Sequence, residues 1–203
     1  ICLVYNREMF DAAGVAYPDE SWTWDDLKSA SARIHEKTGK YGYMAYADEQ
    51  LGYWNFVYQA GGCILNEDKT KAGFLEPATR KAMEFYVNLQ KEPWCPDQNY
   101  FAETAPGNAF FSGQGAMYLE GNWNLMSLRE NNAEMEGKWD VAVLPKCPDP
   151  EKGDGRATIS NGLSYATGAH GKKLSYALDF LKFCGSEEGQ RVQGLSGAAI
   201  PAY

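Results

Sequence analysis

The chain has 203 residues, 44% of them hydrophobic, which is enough for one large domain or two small domains with a hydrophobic core. Its formal net charge of -8 at pH 7 repels polyanions, so we expect no nucleic acid partner and favour a neutral or cationic small ligand. The sequence has no apolar run of about 18 residues, which argues against a membrane-spanning helix. It also shows no signal peptide, so these residues do not reveal their own destination.

The first half of the chain predicts alternating strands and helices. The run CLVYN indicates a buried strand, followed by a helical turn that Gly14 ends. In TWDDLKSASARIHEK, Thr23 can cap an amphipathic helix that has Asp26 at its third position and ends near Gly39. YGYMAYADE alternates like a strand, YWNFVYQAGG predicts a helix that is apolar all round, and Pro77 begins the helix PATRKAMEFYVNLQK.

The second half continues the alternation. NAFFSG predicts a short helix, GAMYLEG a strand and NLMSLREN a helix, and KWDVAVLP alternates like a strand that Pro145 ends. PDPEKGDGR is predicted to be a flexible turn and the best candidate for a domain boundary. TISNGLSYAT predicts another strand, KKLSYALDFLKFC a helix, and Ser186 can cap a last helix. The alternation of strands and helices indicates α/β layers.

Residue types that bind metals and cofactors are scarce. The five cysteines are scattered without C-x-x-C spacing, so they predict free, buried thiols, although one disulfide is compatible with the pattern. The two histidines, His35 and His170, leave little for a metal site or a catalytic triad. No phosphate-binding loop is present, and GQGAM lacks the helix and acidic partner of a dinucleotide fingerprint. We therefore expect no metal and no cofactor.

Aromatic residues make up 14% of the chain, with 13 Tyr and 6 Trp. Such a surplus suits a binding surface, because each ring supplies apolar area and a polar tip. The alternative is that these rings fill an ordinary core.

Nine segments together carry a resemblance to a known family. LVYNREMFDAAGV followed by WTWDDLKSASARI resembles the stretch "YNKDLFEKAGL... P-x-T-W-D-E-L" of extracellular solute-binding proteins of ABC importers, family 1, the maltose and oligosaccharide-binding type. The similarity continues in order through WNFVYQAGG, AMEFYVNL, AFFSGQGAMYLEGNW, VAVLP, SNGLSYAT, ALDFLKFCGSEEGQ and GAAIPAY. Each segment is weak evidence alone, and their common order along nearly the whole chain makes the match specific.

The resemblance implies an α/β, periplasmic-binding-protein-like fold of type II, with the ligand held between two lobes. Residues 1–140 are then expected to form most of the second lobe, 141–146 a hinge-crossing strand, and 147–203 a return segment of the first lobe. The family's first lobe begins upstream of the YN motif, and further helices follow Tyr203, so we expect the chain to be incomplete. The apolar surface of residues 157–203 should then be exposed or covered by a partner chain, which predicts self-association.

The resemblance also places candidate ligand contacts around GAMYLEGNW. Trp123 matches a family position at which an aromatic ring stacks on a sugar, and a flat ring can desolvate the C–H face of a pyranose. The alternative for Trp123 is a core tryptophan. Glu120 ends the same strand and could accept hydrogen bonds from sugar hydroxyls, or it could be a solvated strand end.

The end of YMAYA and the loop after it supply four more candidates. Asp48 and Glu49 stand at a strand end, where α/β folds tend to place ligand contacts, and Glu49 is slightly preferred. Tyr46 and Tyr53 are rival stacking rings. Trp54, on the helix that follows, is assigned to packing instead.

Ser160 and Asn161 precede Gly162 at a turn that, in family members, brings first-lobe backbone to the cleft. Gly162 permits a close backbone approach and Asn161 can both donate and accept, although a plain turn is the alternative. Two carboxylate pairs, Asp25-Asp26 and Glu187-Glu188, could suggest a glycosidase, which needs two opposed carboxyl groups. Both pairs fall in the first turns of predicted helices, where acidic residues stabilise the helix dipole.

The sequence therefore predicts a binding protein with no catalytic residues and not an enzyme. The predicted function is that of the substrate-binding component of an ABC importer, which captures a carbohydrate outside the cytoplasm and delivers it to permease subunits in the membrane. Its expected location is the periplasm, or the cell surface through a lipid anchor. The alternatives are a carbohydrate-active α/β enzyme and a purely structural interaction domain.

Overall fold

A computed structural model describes residues 1–124, 135–197 and 199–202 of the chain. By their contacts the residues form two compact units: unit 1 comprises Ile1–Glu120 and Asn132–Ile159, and unit 2 comprises Gly121–Asn131 and Ser160–Tyr203. The strands are β1 (Cys2–Asn6), β2 (Tyr41–Tyr43), β3 (Gly115–Glu120) and β4 (Trp139–Ala142). The α-helices are α1 (Arg7–Ala13), α2 (Trp24–Thr38), α3 (Trp54–Gln59), α4 (Pro77–Leu89), α5 (Gln98–Glu103), α6 (Pro106–Phe111), α7 (Leu174–Cys184) and α8 (Glu187–Ser196).

Unit 1 is built on a four-stranded mixed sheet with the strand order β2-β3-β1-β4. β1 pairs antiparallel with both β3 and β4, and Cys2 lies opposite Glu120. β2 pairs parallel with β3, with Tyr43 opposite Met117. The strands β2, β3 and β4 therefore run in the same direction, and their carboxyl ends lie at one edge of the sheet.

Local signals in the sequence set the ends of the first two helices, as predicted. Gly14 ends α1 in the left-handed conformation, with φ 63°. Thr23 and Asp26 form a reciprocal capping box at the start of α2, in which the Asp26 carboxylate accepts from the Thr23 N–H at 2.8 Å. The strand predicted over YGYMAYADE is shorter than expected, because only Tyr41–Tyr43 pairs as β2.

The two faces of the sheet carry separate hydrophobic clusters, because successive residues of a strand point to opposite faces. Leu3 and Met117 belong to the larger cluster, which is formed with α1 to α4. Val4 and Tyr118 belong to the smaller cluster, which is formed with α5 and α6.

Much of the aromatic content fills these two clusters. Trp22, Trp24 and Trp94 are buried. Trp24 stacks on Phe85 with the ring centroids 4.4 Å apart. Core filling therefore accounts for a large part of the aromatic surplus, and only the exposed and partly buried rings remain candidates for ligand contact.

The segment after β4 stays attached to unit 1. The Cys147 N–H donates to the Gly155 carbonyl oxygen at 3.0 Å, and Lys81 Nζ donates to the Asp149 carbonyl oxygen at 2.7 Å. PDPEKGDGR, which the sequence predicts to be a flexible turn, is therefore an anchored loop. The chain passes from unit 1 to unit 2 after Ile159.

Unit 2 contains α7, α8 and a 3₁₀ turn at Asn122–Asn124. Ser186 caps α8 as predicted, and its Oγ accepts from the Gly189 N–H at 3.2 Å. The prediction of a strand over TISNGLSYAT, residues 158–167, is wrong. A strand needs a hydrogen-bonding neighbour, and no strand in the described part of the chain pairs with this segment. The helix predicted over NLMSLREN lies, beyond Asn124, outside the described residues.

Several apolar side chains of unit 2 are exposed to solvent. The helix α7 has no buried residue, and its Tyr176 and Phe180 are 76% and 64% exposed. Leu163, before the helix, is 89% exposed. The expectation of exposed apolar surface on residues 157–203 is therefore confirmed for the chain by itself.

All five cysteines are free thiols, and Cys95 and Cys147 are buried. Among the described residues, no helix combines the length and apolar character that crossing a membrane requires.

Candidate ligand-binding site

The carboxyl edge of the sheet in unit 1 gathers most of the predicted contacts. The chain leaves β2 alongside β3, and the Met44 N–H still donates to the Met117 carbonyl oxygen at 2.9 Å. Residues 46–53, called loop 46–53 below, follow directly, and β3 ends at Glu120 on the same edge. Ligands of open α/β sheets bind outside the carboxyl ends of the strands.

Asp48 shapes this loop through its side chain. Its Oδ1 accepts from the N–H groups of Gln50 and Leu51 at 2.8 and 2.7 Å, and so caps a π-helical turn at Glu49–Tyr53. The role of Asp48 as a direct ligand contact stays a prediction, and its Oδ1 is already the acceptor of two backbone hydrogen bonds. Glu49, the first residue of the turn, is exposed and presents its carboxylate to solvent.

The two tyrosines of loop 46–53 are partly buried, each against another ring. Tyr46 meets Phe101 edge to face with centroids 5.4 Å apart, and Tyr53 meets Tyr86 in the same way at 6.4 Å. The Tyr86 hydroxyl donates to the Tyr46 carbonyl oxygen at 2.6 Å, which fixes the start of the loop. Each of the two tyrosine rings therefore offers only part of its surface for stacking.

Glu120 is buried at the end of β3, with 6% of its surface exposed. The alternative that Glu120 is a solvated strand end is therefore wrong. The Cys2 thiol donates to the Glu120 carbonyl oxygen at 3.4 Å. Burial raises the pKa of the Cys2 thiol and of the Tyr118 phenol, and the nearby Glu120 carboxylate raises both further. Both neighbours are therefore neutral, protonated groups at pH 7.

Trp123 lies in the 3₁₀ turn of unit 2, and 42% of its surface is exposed. Its ring packs directly over the backbone of Gly121, where a Cβ atom would overlap the six-membered ring. Glycine at position 121 therefore lets one part of the indole rest on the backbone while the remainder faces solvent. The reading of Trp123 as a core tryptophan is wrong, because a core residue would be enclosed.

Ser160 and Asn161 also belong to unit 2, and both are exposed. The structure thus brings together Tyr46, Asp48, Glu49, Tyr53 and Glu120 at one edge of unit 1. It places Trp123, Ser160 and Asn161 in the other unit.

The sequence analysis does not predict the two buried side-chain amides on α3. Asn55 and Gln59 are 0% and 1% exposed, on a helix that the sequence predicts to be apolar all round. The Gln59 Oε1 accepts from the Trp24 indole N–H at 2.7 Å, and its Nε2 donates to the Ala157 carbonyl oxygen at 3.0 Å. Their spacing of four residues, which puts both on one face of a helix, is the signal that could have found them.

The paired carboxylates take the structural role predicted for them. Asp25 and Asp26 lie in the first turn of α2, and Glu187 and Glu188 lie in the first turn of α8. In the described part of the chain, no group of three or more His, Cys, Asp or Glu side chains is arranged to hold a metal ion.

Comparisons with known proteins agree on one family. Residues 1–191 match the model of the bacterial extracellular solute-binding protein family. An arabinooligosaccharide-binding protein of Halalkalibacterium halodurans is 25% identical over 190 residues, which are 89% of this chain and 40% of that protein. A solved ABC transporter solute-binding protein of Thermotoga lettingae, bound with alpha-D-tagatose, is 25% identical with a TM-score of 0.74 over 98% of this chain and 51% of its own. An ABC substrate-binding protein of Listeria monocytogenes, in complex with cycloalternan, is 23% identical with a TM-score of 0.77 over 99% of this chain and 50% of its own.

The chain belongs to the family of bacterial extracellular solute-binding proteins, since the family model matches residues 1–191 of its 203. The resemblance found in the sequence is confirmed, and so is the α/β, periplasmic-binding-protein-like fold. The family is one of binding proteins rather than enzymes. The chain spans 40% of the length of the curated relative and about half of the two solved structures.

Proposed function

We propose that this chain is part of the substrate-binding component of an ABC importer, which captures a carbohydrate outside the cytoplasm and delivers it to a membrane permease. Family membership supports the binding role. An arabinooligosaccharide-binding relative and a tagatose-bound neighbour, each 25% identical, support a sugar as the ligand. The net charge of -8 is compatible with an uncharged ligand of this kind.

The exposed ring of Trp123 is the observation that carries the proposal. Its indole rests on Gly121, and 42% of its surface remains open to a ligand. The C–H face of a pyranose can cover such a ring without needing polar partners, so both surfaces lose water on contact. A preformed, rigid ring also binds with little loss of conformational entropy.

Polar contacts would come from the carboxyl edge of unit 1. The exposed carboxylate of Glu49 can accept hydrogen bonds from sugar hydroxyls, and charge-assisted bonds are the stronger ones. Tyr46 and Tyr53 add partial ring surfaces beside it. We assign Ser160 and Asn161 to hydroxyl recognition as well, because both are exposed and each can donate and accept.

The proposal includes the lobe assignment implied by the family. Residues 1–140 form most of the second lobe, 141–146 cross the hinge, and 147–203 return to the first lobe. A sugar that contacts both lobes favours the closed state, and the hinge absorbs the motion. No bond of the sugar is made or broken. The complete protein works in the periplasm, or at the cell surface through a lipid anchor.

A thermal-shift screen of the full-length protein tests this proposal. Tagatose, arabinooligosaccharides and maltooligosaccharides are the probes, and a sugar that binds only the folded protein must raise its melting temperature. Products of each incubation are separated by chromatography, and turnover of any sugar would favour a carbohydrate-active enzyme instead. No shift with any sugar would contradict a carbohydrate ligand.

Trp123→Ala should weaken binding of the best sugar by about tenfold or more, because the stacking surface is lost. Trp123→Phe should retain part of the affinity, since a smaller ring can still stack. Tyr58→Ala is the matched control, because Tyr58 is also 42% exposed but lies on α3. Unchanged affinity in Trp123→Ala, measured by isothermal titration calorimetry, would remove this residue from the site.

A further inference from the structure

Asn55 lies at a junction between loop 46–53 and the last residues of unit 1. Its Nδ2 donates to the carbonyl oxygens of Gln50 and Gly52 at 2.7 and 3.1 Å. Its Oδ1 accepts from the Ile159 N–H at 2.9 Å. A single side chain therefore holds loop 46–53 on one side and residues 157–159, called the connecting segment below, on the other.

The connecting segment is where the chain leaves unit 1, since Ser160 already belongs to unit 2. The Thr158 hydroxyl donates to the Ile1 carbonyl oxygen at 2.9 Å and lies 3.4 Å from Asn55 Oδ1. The connecting segment is thus held against the start of β1 and against α3.

The chemistry of the junction permits only one arrangement of the Asn55 amide. Two carbonyl oxygens require donors, and the Ile159 N–H requires an acceptor, so the amide cannot be rotated by half a turn without losing these bonds. Asn55 is fully buried, which removes water as a substitute partner. A displacement on either side therefore leaves a buried polar group without its partner unless the other side moves too.

We propose that Asn55 is a positioning residue that couples the conformation of loop 46–53 to that of the connecting segment. Its role in ligand-driven closure rests on the proposed function, in which loop 46–53 contacts the sugar and residues 147–203, which include the connecting segment, belong to the first lobe. A sugar that changes the conformation of loop 46–53 would then shift the connecting segment through the Asn55 amide, without contacting the connecting segment itself. Gln59 holds the same segment at Ala157 but has no hydrogen bond to the loop, so it is the natural comparison.

Amide hydrogen exchange in the full-length protein without sugar tests the coupling. Asp48→Ala removes the cap of the π-helical turn, which corresponds to roughly a fivefold shift in the local equilibrium of the loop. The expected result is faster exchange at the Ile159 N–H, by about two- to fivefold, read by NMR at the single amide. The Cys147 N–H, which bonds to Gly155 and does not contact Asn55, should keep its exchange rate.

A double-mutant cycle locates the route of the coupling. In an Asn55→Ala background, Asp48→Ala should no longer change exchange at Ile159, whereas in a Gln59→Leu background it should still do so. An unchanged Ile159 rate in Asp48→Ala alone would overturn the proposal, as would an effect that persists in Asn55→Ala. If Asn55→Ala does not fold, the contrast between Ile159 and Cys147 in Asp48→Ala decides. The outcome is independent of the sugar screen, so failure of the proposed function is distinguished from failure of the coupling.

Discussion

The neighbouring acidic residues Asp48 and Glu49 should respond differently to substitution, although the sequence makes both of them candidates for ligand contact with only a slight preference for Glu49. Asp48 Oδ1 accepts two backbone N–H groups, at 2.8 and 2.7 Å, whereas Glu49 is exposed. Removing a side-chain cap costs about 1 kcal/mol of stability. Asp48→Ala should therefore lower the free energy of unfolding by about this amount, and it should also weaken sugar binding because the loop loses its shape.

Glu49→Gln should leave stability within about 0.5 kcal/mol of the wild type, because the side chain is in solvent. It should weaken binding of the best sugar by about tenfold, since a neutral acceptor replaces a charge-assisted one. Urea titration gives the free energies of unfolding, and calorimetric titration gives the affinities. Thr23→Ala is the control for a lost cap, because Thr23 caps α2 rather than loop 46–53 and should affect stability alone.

Equal affinity losses in Glu49→Gln and Thr23→Ala would refute this reasoning, because the loss would then follow stability rather than contact. A stability in Asp48→Ala that matches the wild type would refute the assignment of the cap.

Two more predictions concern alkaline pH and self-association. Burial raises the pKa of the Cys95 thiol from 9.0 to about 12. The contribution of this thiol to the free energy of unfolding is therefore complete below pH 9, and it declines by about 1.4 kcal/mol per pH unit as the pH rises towards 12. Cys95→Ala should therefore flatten the decline of unfolding free energy above pH 9, and equal slopes in both proteins would contradict this. The isolated 203-residue chain should self-associate in sedimentation experiments, because Tyr176, Phe180 and Leu163 are exposed. A strict monomer that does not bind the dye ANS would count against this prediction.

Local signals in the sequence were sufficient wherever a feature depends on neighbours along the chain. The glycine at position 14, the Thr23 and Asp26 box and the Ser186 cap each act within one helical turn, and the structure has all of them. The order of family motifs likewise identified the family and its fold class.

Features that depend on distant residues were not predictable in this way. TISNGLSYAT has the composition of a strand, but a strand exists only where a partner lies beside it. Glu120 ends a strand in the sequence, yet packing around that strand end buries it. Whether a carboxylate meets water depends on side chains that are remote in the sequence.

The helix α3 and its Asn55 show both kinds of feature, one set by neighbours along the chain and one set by distant residues. Apolar side chains dominate α3 all round, which predicts a buried helix, and the structure buries its Phe56 and Val57. The bonds of Asn55 join residues 50 and 52 to residue 159, about a hundred positions further along the chain. The sequence by itself determined the family, the fold class and the ends of several helices. Only the tertiary structure decided which polar groups face each other, because a hydrogen bond between two distant segments produces no periodic pattern in the sequence of either segment.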